Sequence, residues 1–299
     1  MIKNDTSINK NDEEVIMELT DLKIFLTVAD EGNFSKGADQ LGYVQSNVTN
    51  RIKKLESELG VTLFNRHPKG VSLSDRGLIF YEHAASINKR AEEAIAAVQE
   101  AENFGGKLAI GVVETLASNK FMNILSDFQK QHPNVSISLI TGTSPKLLEM
   151  IQKYKLDAAF ITGQTKSNSI EVEYTIQDVV SLITKRGLKP EQTPKTWAVF
   201  PEGCPFRKVL VEWLDSNGEK PTNFIEVTTL DTLLNCVKSG LASAVLPLSV
   251  INKTQEMKYN STPLPEEYRL METHLVRRKD IATNKALSSF IEKIKKNEL

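Results

Sequence analysis

The chain holds two cysteines in 299 residues, Cys204 and Cys236. That is too few for a disulfide-stapled extracellular scaffold and suits a reducing, cytoplasmic compartment. Long apolar runs are missing too, and no stretch approaches the ~20 residues that a membrane-spanning helix needs. A chain that is 40% hydrophobic and 25% charged has the composition of a soluble globular protein with no membrane partner. Catalytic signatures are absent: there is no Gly-x-Ser-x-Gly elbow and no Gly-x-x-x-x-Gly-Lys phosphate loop. The histidines His67, His83, His132 and His274 are scattered, with no metal-ligand spacing among them. No enzyme, cofactor or metal site is expected. An excess of one charge sign is also lacking, since the net charge is -1. Any contact with nucleic acid must therefore rest on a local concentration of positive charge.

Such a concentration exists near the amino terminus. Residues 34–66 carry two short helical patterns joined by a tight turn, preceded by a first helix with Leu22, Phe25, Leu26 and Ala29 on one face. Ser35 is read as the N-cap of the short second helix, which Gly42 ends; Gly32 and Asn33 punctuate its start. In the third helix Val48, Ile52, Leu55 and Leu59 recur at helical spacing, so Gln45, Ser46, Asn47, Thr49, Asn50 and Lys53 are left to face outward. Gln and Asn can bond an adenine edge, Ser and Thr can bond any base, and Arg51, Lys53 and Lys54 suit guanine or phosphate. Residues 61–64, a basic tip at 66–70 and a return at 71–73 read as a wing. Over 44–77, six basic residues (Arg51, Lys53, Lys54, Arg66, Lys69, Arg76) stand against three acids (Glu56, Glu58, Asp75). Double-stranded DNA is the expected partner, contacted by Ser35, the third helix, and Arg66 and Lys69 of the wing.

Downstream, 75–103 reads as one long helix. Phe80, Ala84, Ile87, Ala91, Ala94, Val98 and Ala101 alternate steps of four and three, the seam of a coiled coil, which implies a homodimer or homotetramer. Beyond Gly105 and Gly106 strand-like and helix-like runs alternate: strands at 108–112, 135–140 and 156–161 with helices at 119–131 and 145–154. A second set follows, with strands at 196–200, 224–227 and 242–246 and helices at 205–216 and 230–239. A strand at 273–277 and a helix at 286–295 close the chain. This is an α/β arrangement with parallel sheet in two lobes. Residues 1–16 are polar and are expected to form a disordered leader, with Met17 an alternative start.

The residues at 22–77, among them Phe25, Ala29, Phe34, Ala38, Gln45, Ser46, Val48, Thr49, Ile52, Leu55, Glu56, Leu59, Gly60, Leu63, Phe64, Arg66, Leu73 and Gly77, resemble the amino-terminal domain of LysR-type transcriptional regulators. Val44 and Asn47 depart from the family, which usually has Ser and a small residue there. A weaker resemblance, carried by 107–111, 156–160, 236–242, Leu246 and Pro247, extends to the effector-binding domain of that family, which is similar to periplasmic solute-binding folds. The resemblance implies a winged helix-turn-helix domain at 17–75, a linker helix at 76–104 and an effector-binding domain at 105–299. Lobe one would comprise 105–180 and 273–299, and lobe two 181–272, with hinge crossings near 179–183 and 273–276. The implied function is regulation of transcription in response to a small, anionic effector, with RNA polymerase a further partner.

Strand-end loops are where such a sheet binds ligands. Glu114 and Thr115 follow the first strand, and Thr143 and Ser144 lead into a helix whose amides would cradle a carboxylate. In lobe two Cys204 and Arg207 open one helix and Thr229 another. Thr115, Thr143, Ser144, Cys204, Arg207 and Thr229 are thus the candidate effector residues. Two alternatives stand beside this reading. One is redox sensing through Cys204, whose thiol pKa a helix start and Arg207 would lower. The other is a solute-binding receptor built on the α/β part alone.

Overall fold

The computed structural model describes residues 17–99, 105–117, 119–164, 167–188, 193–219, 223–251, 258–281 and 283–297. The expected leader and Ala101 lie outside the described residues. The chain divides after Ile95 into two compact units.

The first unit opens with α1 (Leu19–Glu31), α2 (Phe34–Leu41) and α3 (Gln45–Leu59), followed by a hairpin of β1 (Phe64–His67) and β2 (Gly70–Leu73) and the start of α4 (Asp75–Gln99). Asn33, not Ser35, caps α2: its Oδ1 accepts from the amides of Ser35 at 2.8 Å and Lys36 at 3.2 Å, leaving the Ser35 hydroxyl for another use. The α1 face turned inward is Asp21, Leu22, Ile24, Phe25 and Val28. Leu26 and Ala29, expected in the core, are only half-buried. Val48, Ile52 and Leu55 of α3 are buried as their spacing predicts, with Leu59 partly covered. Phe25 sits at the centre, its ring 5.2 Å from that of Phe64 and 4.9 Å from that of Phe80.

The wing begins three residues later than its sequence suggests. Glu56 Oε1 accepts from the amides of Leu63 at 2.7 Å and Phe64 at 3.1 Å, which anchors the lead-in segment on α3 before pairing starts. The Val71 amide donates to Gly32 O at 2.8 Å, tying the hairpin to the α1–α2 turn. Gly70 makes this approach feasible: a Cβ there would lie 2.3 Å from Gly32 O.

In the second unit, β3 (Gly106–Val112), α5 (Asn119–Gln131), β4 (Val135–Thr141), α6 (Ser144–Gln152) and β5 (Ala158–Thr162) build lobe one. Its β3 pairs in parallel with β4 and β5. A strand not foreseen from sequence follows, β6 (Ile170–Lys185). Lobe two holds β7 (Thr196–Val199), α7 (Pro205–Ser216), β8 (Asn223–Glu226), α8 (Leu230–Ser239), β9 (Ala244–Pro247) and β10 (Tyr259–Pro263). The chain returns on β11 (Leu270–Arg278) and ends with α9 (Lys285–Lys296). The long sheet runs β10-β6-β11-β5-β3-β4 with β9 also on β6, and every pairing made by β6 and β11 is antiparallel. The expected parallel sheet is therefore a mixed one. The outward crossing at 179–183 lies within β6, as expected, whereas the return falls earlier than expected, over 264–269, where Leu264 N donates to Val180 O and Val180 N to Arg269 O. Each lobe has its own core: Phe121, Phe128, Phe160 and Phe290 in lobe one, and Trp197, Phe206, Leu210, Leu233 and Leu246 in lobe two.

The Arg51 guanidinium bonds Asp21 Oδ1 and Glu18 Oε2, each at 2.6 Å, and Asp21 also accepts from the Glu18 amide. The bonds to Asp21 and then Glu18 raise the Arg51 pKa further above its ordinary value. Asp21 is 4% exposed as a side chain, so loss of Arg51 strands a buried carboxylate. Arg51→Ala is therefore expected to destabilise the first unit by about 1–3 kcal/mol, read by urea unfolding; a change within about 0.3 kcal/mol would refute this role. Helix α3, by contrast, starts at Val44, which is 72% exposed and supplies no capping side chain. Val44→Ser is expected to raise stability by about 1 kcal/mol in the same assay.

Candidate functional site

The outer face of α3 presents Gln45, Ser46, Asn47, Asn50, Lys53 and Lys54 exposed, with Thr49 half-buried. Helix α3 starts without a side-chain cap, the Asn47 amide reaching only Val44 O at 3.0 Å, and this end is the positive end of the helix dipole. The Ser35 hydroxyl donates to Gln45 Oε1 at 3.0 Å, so the start of α2 steadies the first side chain of α3 and leaves the Gln45 amide hydrogens to donate. Lys54 reaches Glu58 at 3.4 Å along the helix but stays 59% exposed, a weak pair that a phosphate can replace. In the wing Arg66 stacks 5.1 Å from the centre of the Phe34 ring, and Lys69 stands exposed in the turn between the strands. Arg51 does not join this surface. Its planar fork is committed to Glu18 and Asp21, so the expectation that it reads a base is withdrawn in favour of an anchoring role.

A second candidate site lies in the other unit, where about 750 Å³ of empty space, partly open to solvent, separates the lobes. Lobe one contributes Val113, Glu114, Thr115, Thr141, Gly142, Thr143, Ser144 and Thr162, and lobe two Phe200, Pro201, Cys204, Pro205, Phe206 and Thr228. The lobes touch at its flank: a Cβ added at Gly203 would lie 3.1 Å from Pro145 Cγ, and one at Gly163 would lie 3.3 Å from Pro205 Cγ. Four of the candidate residues, Thr115, Thr143, Ser144 and Cys204, line this cavity. Thr115 is 8% exposed and has no hydrogen-bond partner among the described residues. Thr143 makes no capping bond with its side chain. The Ser144 hydroxyl instead accepts from the Thr162 amide at 2.9 Å, fastening the start of α6 to the end of β5.

The other two candidates lie elsewhere. Arg207 bonds Glu226 Oε2 at 2.6 Å and Phe200 O at 3.3 Å, and stacks 5.2 Å from the Phe224 ring centre, which commits its charge; it lines an adjoining pocket instead of this one. Thr229 caps α8 by accepting from the Thr232 amide at 3.3 Å. Its neighbour Thr228 is the lining residue, along with Thr141, Thr162 and Phe206; alternation along loops is not readable without the tertiary path. Burial pushes the Cys204 thiol up, outweighing the nearby backbone amides and the Arg207 charge. The sequence had suggested the reverse direction. A buried, protonated thiol is a poor nucleophile, so redox sensing is not favoured. Among the described residues no cluster of three or more His, Cys, Asp or Glu is placed to hold a metal, and no helix is long and apolar enough to cross a membrane.

Known proteins share both halves of this architecture. Residues 19–78 match the bacterial regulatory helix-turn-helix protein model of the lysR family, and 101–298 match the LysR substrate binding domain. The chain is 37% identical over 282 residues to the HTH-type transcriptional regulator SoxR of Arthrobacter sp. (strain TE1826), covering 93% of this chain and 97% of that protein. It is 36% identical over 288 residues to the HTH-type transcriptional regulator CzcR of Bacillus thuringiensis (strain Al Hakam), covering 95% and 96%. Among solved structures, a full-length OxyR variant from Pseudomonas aeruginosa matches with a TM-score of 0.72 at 20% identity, covering 93% of this chain and 95% of that one. Full-length CbnR complexed with its target DNA matches at 0.60 and 21%, covering 94% and 100%. The presence of the helix-turn-helix part sets aside a stand-alone solute receptor. Because one chain joins a helix-turn-helix unit to a two-lobed α/β fold and matches both family models, it belongs to the LysR family of DNA-binding transcriptional regulators with an effector-binding domain.

Proposed function

We propose that this regulator, which performs no catalysis, works in the cytoplasm, lays α3 in the major groove of its operator, and couples closure of its lobes on a small carboxylate-bearing effector to transcription by RNA polymerase. The observation that carries the DNA reading is the division of α3: Val48, Ile52 and Leu55 are buried while Gln45, Ser46, Asn47 and Asn50 are exposed beside a wing bearing Arg66 and Lys69. Gln45, Ser46, Asn47, Thr49, Asn50 and Lys53 face base edges in this reading; Ser35 holds Gln45, and Lys54, Arg66 and Lys69 meet phosphates. Thr115, Thr143 and Ser144 line the effector site. Cys204 contributes its apolar bulk, and Arg207 and Thr229 hold lobe-two elements in place.

Self-association is supported by α4. Phe80 and Ala84, the first residues of the expected seam, pack inward, Phe80 against Phe25. Ile87, Ile95 and Val98 are exposed, as are Leu78 and Ile79. Apolar side chains left uncovered along one helix are what a homodimer contact would bury, and two reading heads recognise a two-part operator. A homotetramer would pair two such dimers.

Operator binding tests the DNA reading directly. Gln45→Ala is expected to lose roughly 1–3 kcal/mol of specific binding, while Lys69→Ala weakens all duplexes alike and lowers the salt slope by about 1. Unchanged affinity in both variants would remove α3 from the groove. Ile87→Lys combined with Val98→Lys is expected to shift the native mass, measured by light scattering, to that of the monomer; an unaltered oligomer would place the contact elsewhere.

A further inference from the structure

The cavity between the lobes has an uneven charge lining. Glu114 is its single Asp, Glu, Lys, Arg or His, and among the described residues no cation pairs with it. Lys120 lines one adjoining cavity, beyond Thr115 and Phe206; Arg207 and Lys208 line another, beyond Ser144 and Pro205, where Arg207 is held by Glu226 and Lys208 reaches Glu212. A purely anionic effector would therefore sit beside an unneutralised carboxylate with no cationic side chain on this wall, an arrangement that like-charge repulsion opposes. A purely cationic effector would satisfy Glu114 but leave the start of α6 unmet.

The start of α6 is built for a carboxylate. Its first turn lines the cavity through Thr143 and Ser144, and the Thr143 side chain does not cap the helix. At α7 the Cys204 side chain likewise makes no capping bond, and Pro205 opens the first turn. What distinguishes the lobe-one start is its company, since Glu114 and Thr115 of the same lobe line the cavity beside it. A second, independent observation points to a ligand at the same place: Thr115, only 8% exposed, also lines the cavity, and its hydroxyl has no partner among the described residues. The facing wall is apolar, with Phe200, Pro201 and Phe206 from lobe two.

We infer that the effector is a zwitterionic amino acid with an uncharged side chain: its ammonium meets Glu114, its carboxylate meets Thr143 and the first-turn amides of α6, and its side chain packs on Phe200, Pro201 and Phe206. This rests on the effector-gated reading above and narrows its carboxylate-bearing effector to one chemical class. The charged head would dock on lobe one, and lobe two would read the side chain as the cleft closes.

The test is calorimetry and thermal shift on the full-length protein with matched triplets. L-alanine, L-valine, L-leucine and L-phenylalanine are each compared with the des-amino carboxylate and the decarboxylated amine of the same skeleton. At least one amino acid is expected to bind about tenfold or more tightly than both of its partners, the size of a lost charge-assisted hydrogen bond. Glu114→Gln is expected to weaken that amino acid by about tenfold and to narrow its advantage over the carboxylate, while Glu114→Asp retains the preference. Ligand-free melting temperatures identify a misfolded variant, and the wild-type triplets decide the matter without any variant. A carboxylate that binds the wild type as tightly as its parent amino acid would overturn the inference and leave the effector site standing. A set in which no compound of any class binds would overturn both.

Discussion

One strand belongs to both lobes of the effector unit, and the geometry of the cavity depends on it. Ile170–Lys185 pairs with Leu270–Arg278 through lobe one and then with Ala244–Pro247 and Tyr259–Pro263 in lobe two. Backbone hydrogen bonds therefore run without a break across the hinge, and the lobes cannot slide sideways without breaking the ladder. The change of partners falls at Val179, Val180 and Ser181, where a bend of one lobe on the other would break fewest of these bonds. That constraint holds the strand-end loops of the two lobes face to face. The lobes approach each other where Pro145 faces Gly203 and Pro205 faces Gly163.

The DNA-reading unit rests on a different device. Its reading helix is fixed from behind by apolar side chains and at its middle by Arg51, whose two carboxylate partners come from the start of α1. A cation close to the reading face thus serves the fold, and the row that remains outward is mostly amide and hydroxyl. Specificity would come from Gln45, Ser46, Asn47 and Asn50, and attraction from Lys53, Lys54, Arg66 and Lys69, which suits a chain whose overall charge is -1. Glu56, counted against the local positive charge, is turned onto the amides of Leu63 and Phe64, so it shapes the wing instead.

Much of this was legible before any coordinates. Val48, Ile52 and Leu55 announced the buried side of α3 because a helix repeats its faces every 3.6 residues. The α7 and α8 boundaries were readable from Pro205 and Gly240, which start and stop helices for local backbone reasons. Thr115, Thr143 and Ser144 were found because cavity loops follow strand ends. The strand at 170–185 was missed although Ile170, Val172, Tyr174 and Ile176 alternate with Glu171, Glu173, Thr175 and Gln177 over its first half; only its second half, buried on both sides, lacks that period. Its antiparallel pairing with β11 also turned an expected parallel sheet into a mixed one.

What the sequence determined by itself, then, is the set of local elements and their inward and outward faces, since periodicity, caps and turns act within a few residues. Only the tertiary structure decided where each polar group spends its charge. Arg51 meets Asp21 across 30 residues of chain, Arg207 meets Glu226 across 19, and Cys204 is buried deeply enough to hold its proton. Those outcomes depend on desolvation and on partners brought together by folding, and neither quantity exists in a linear pattern of residues.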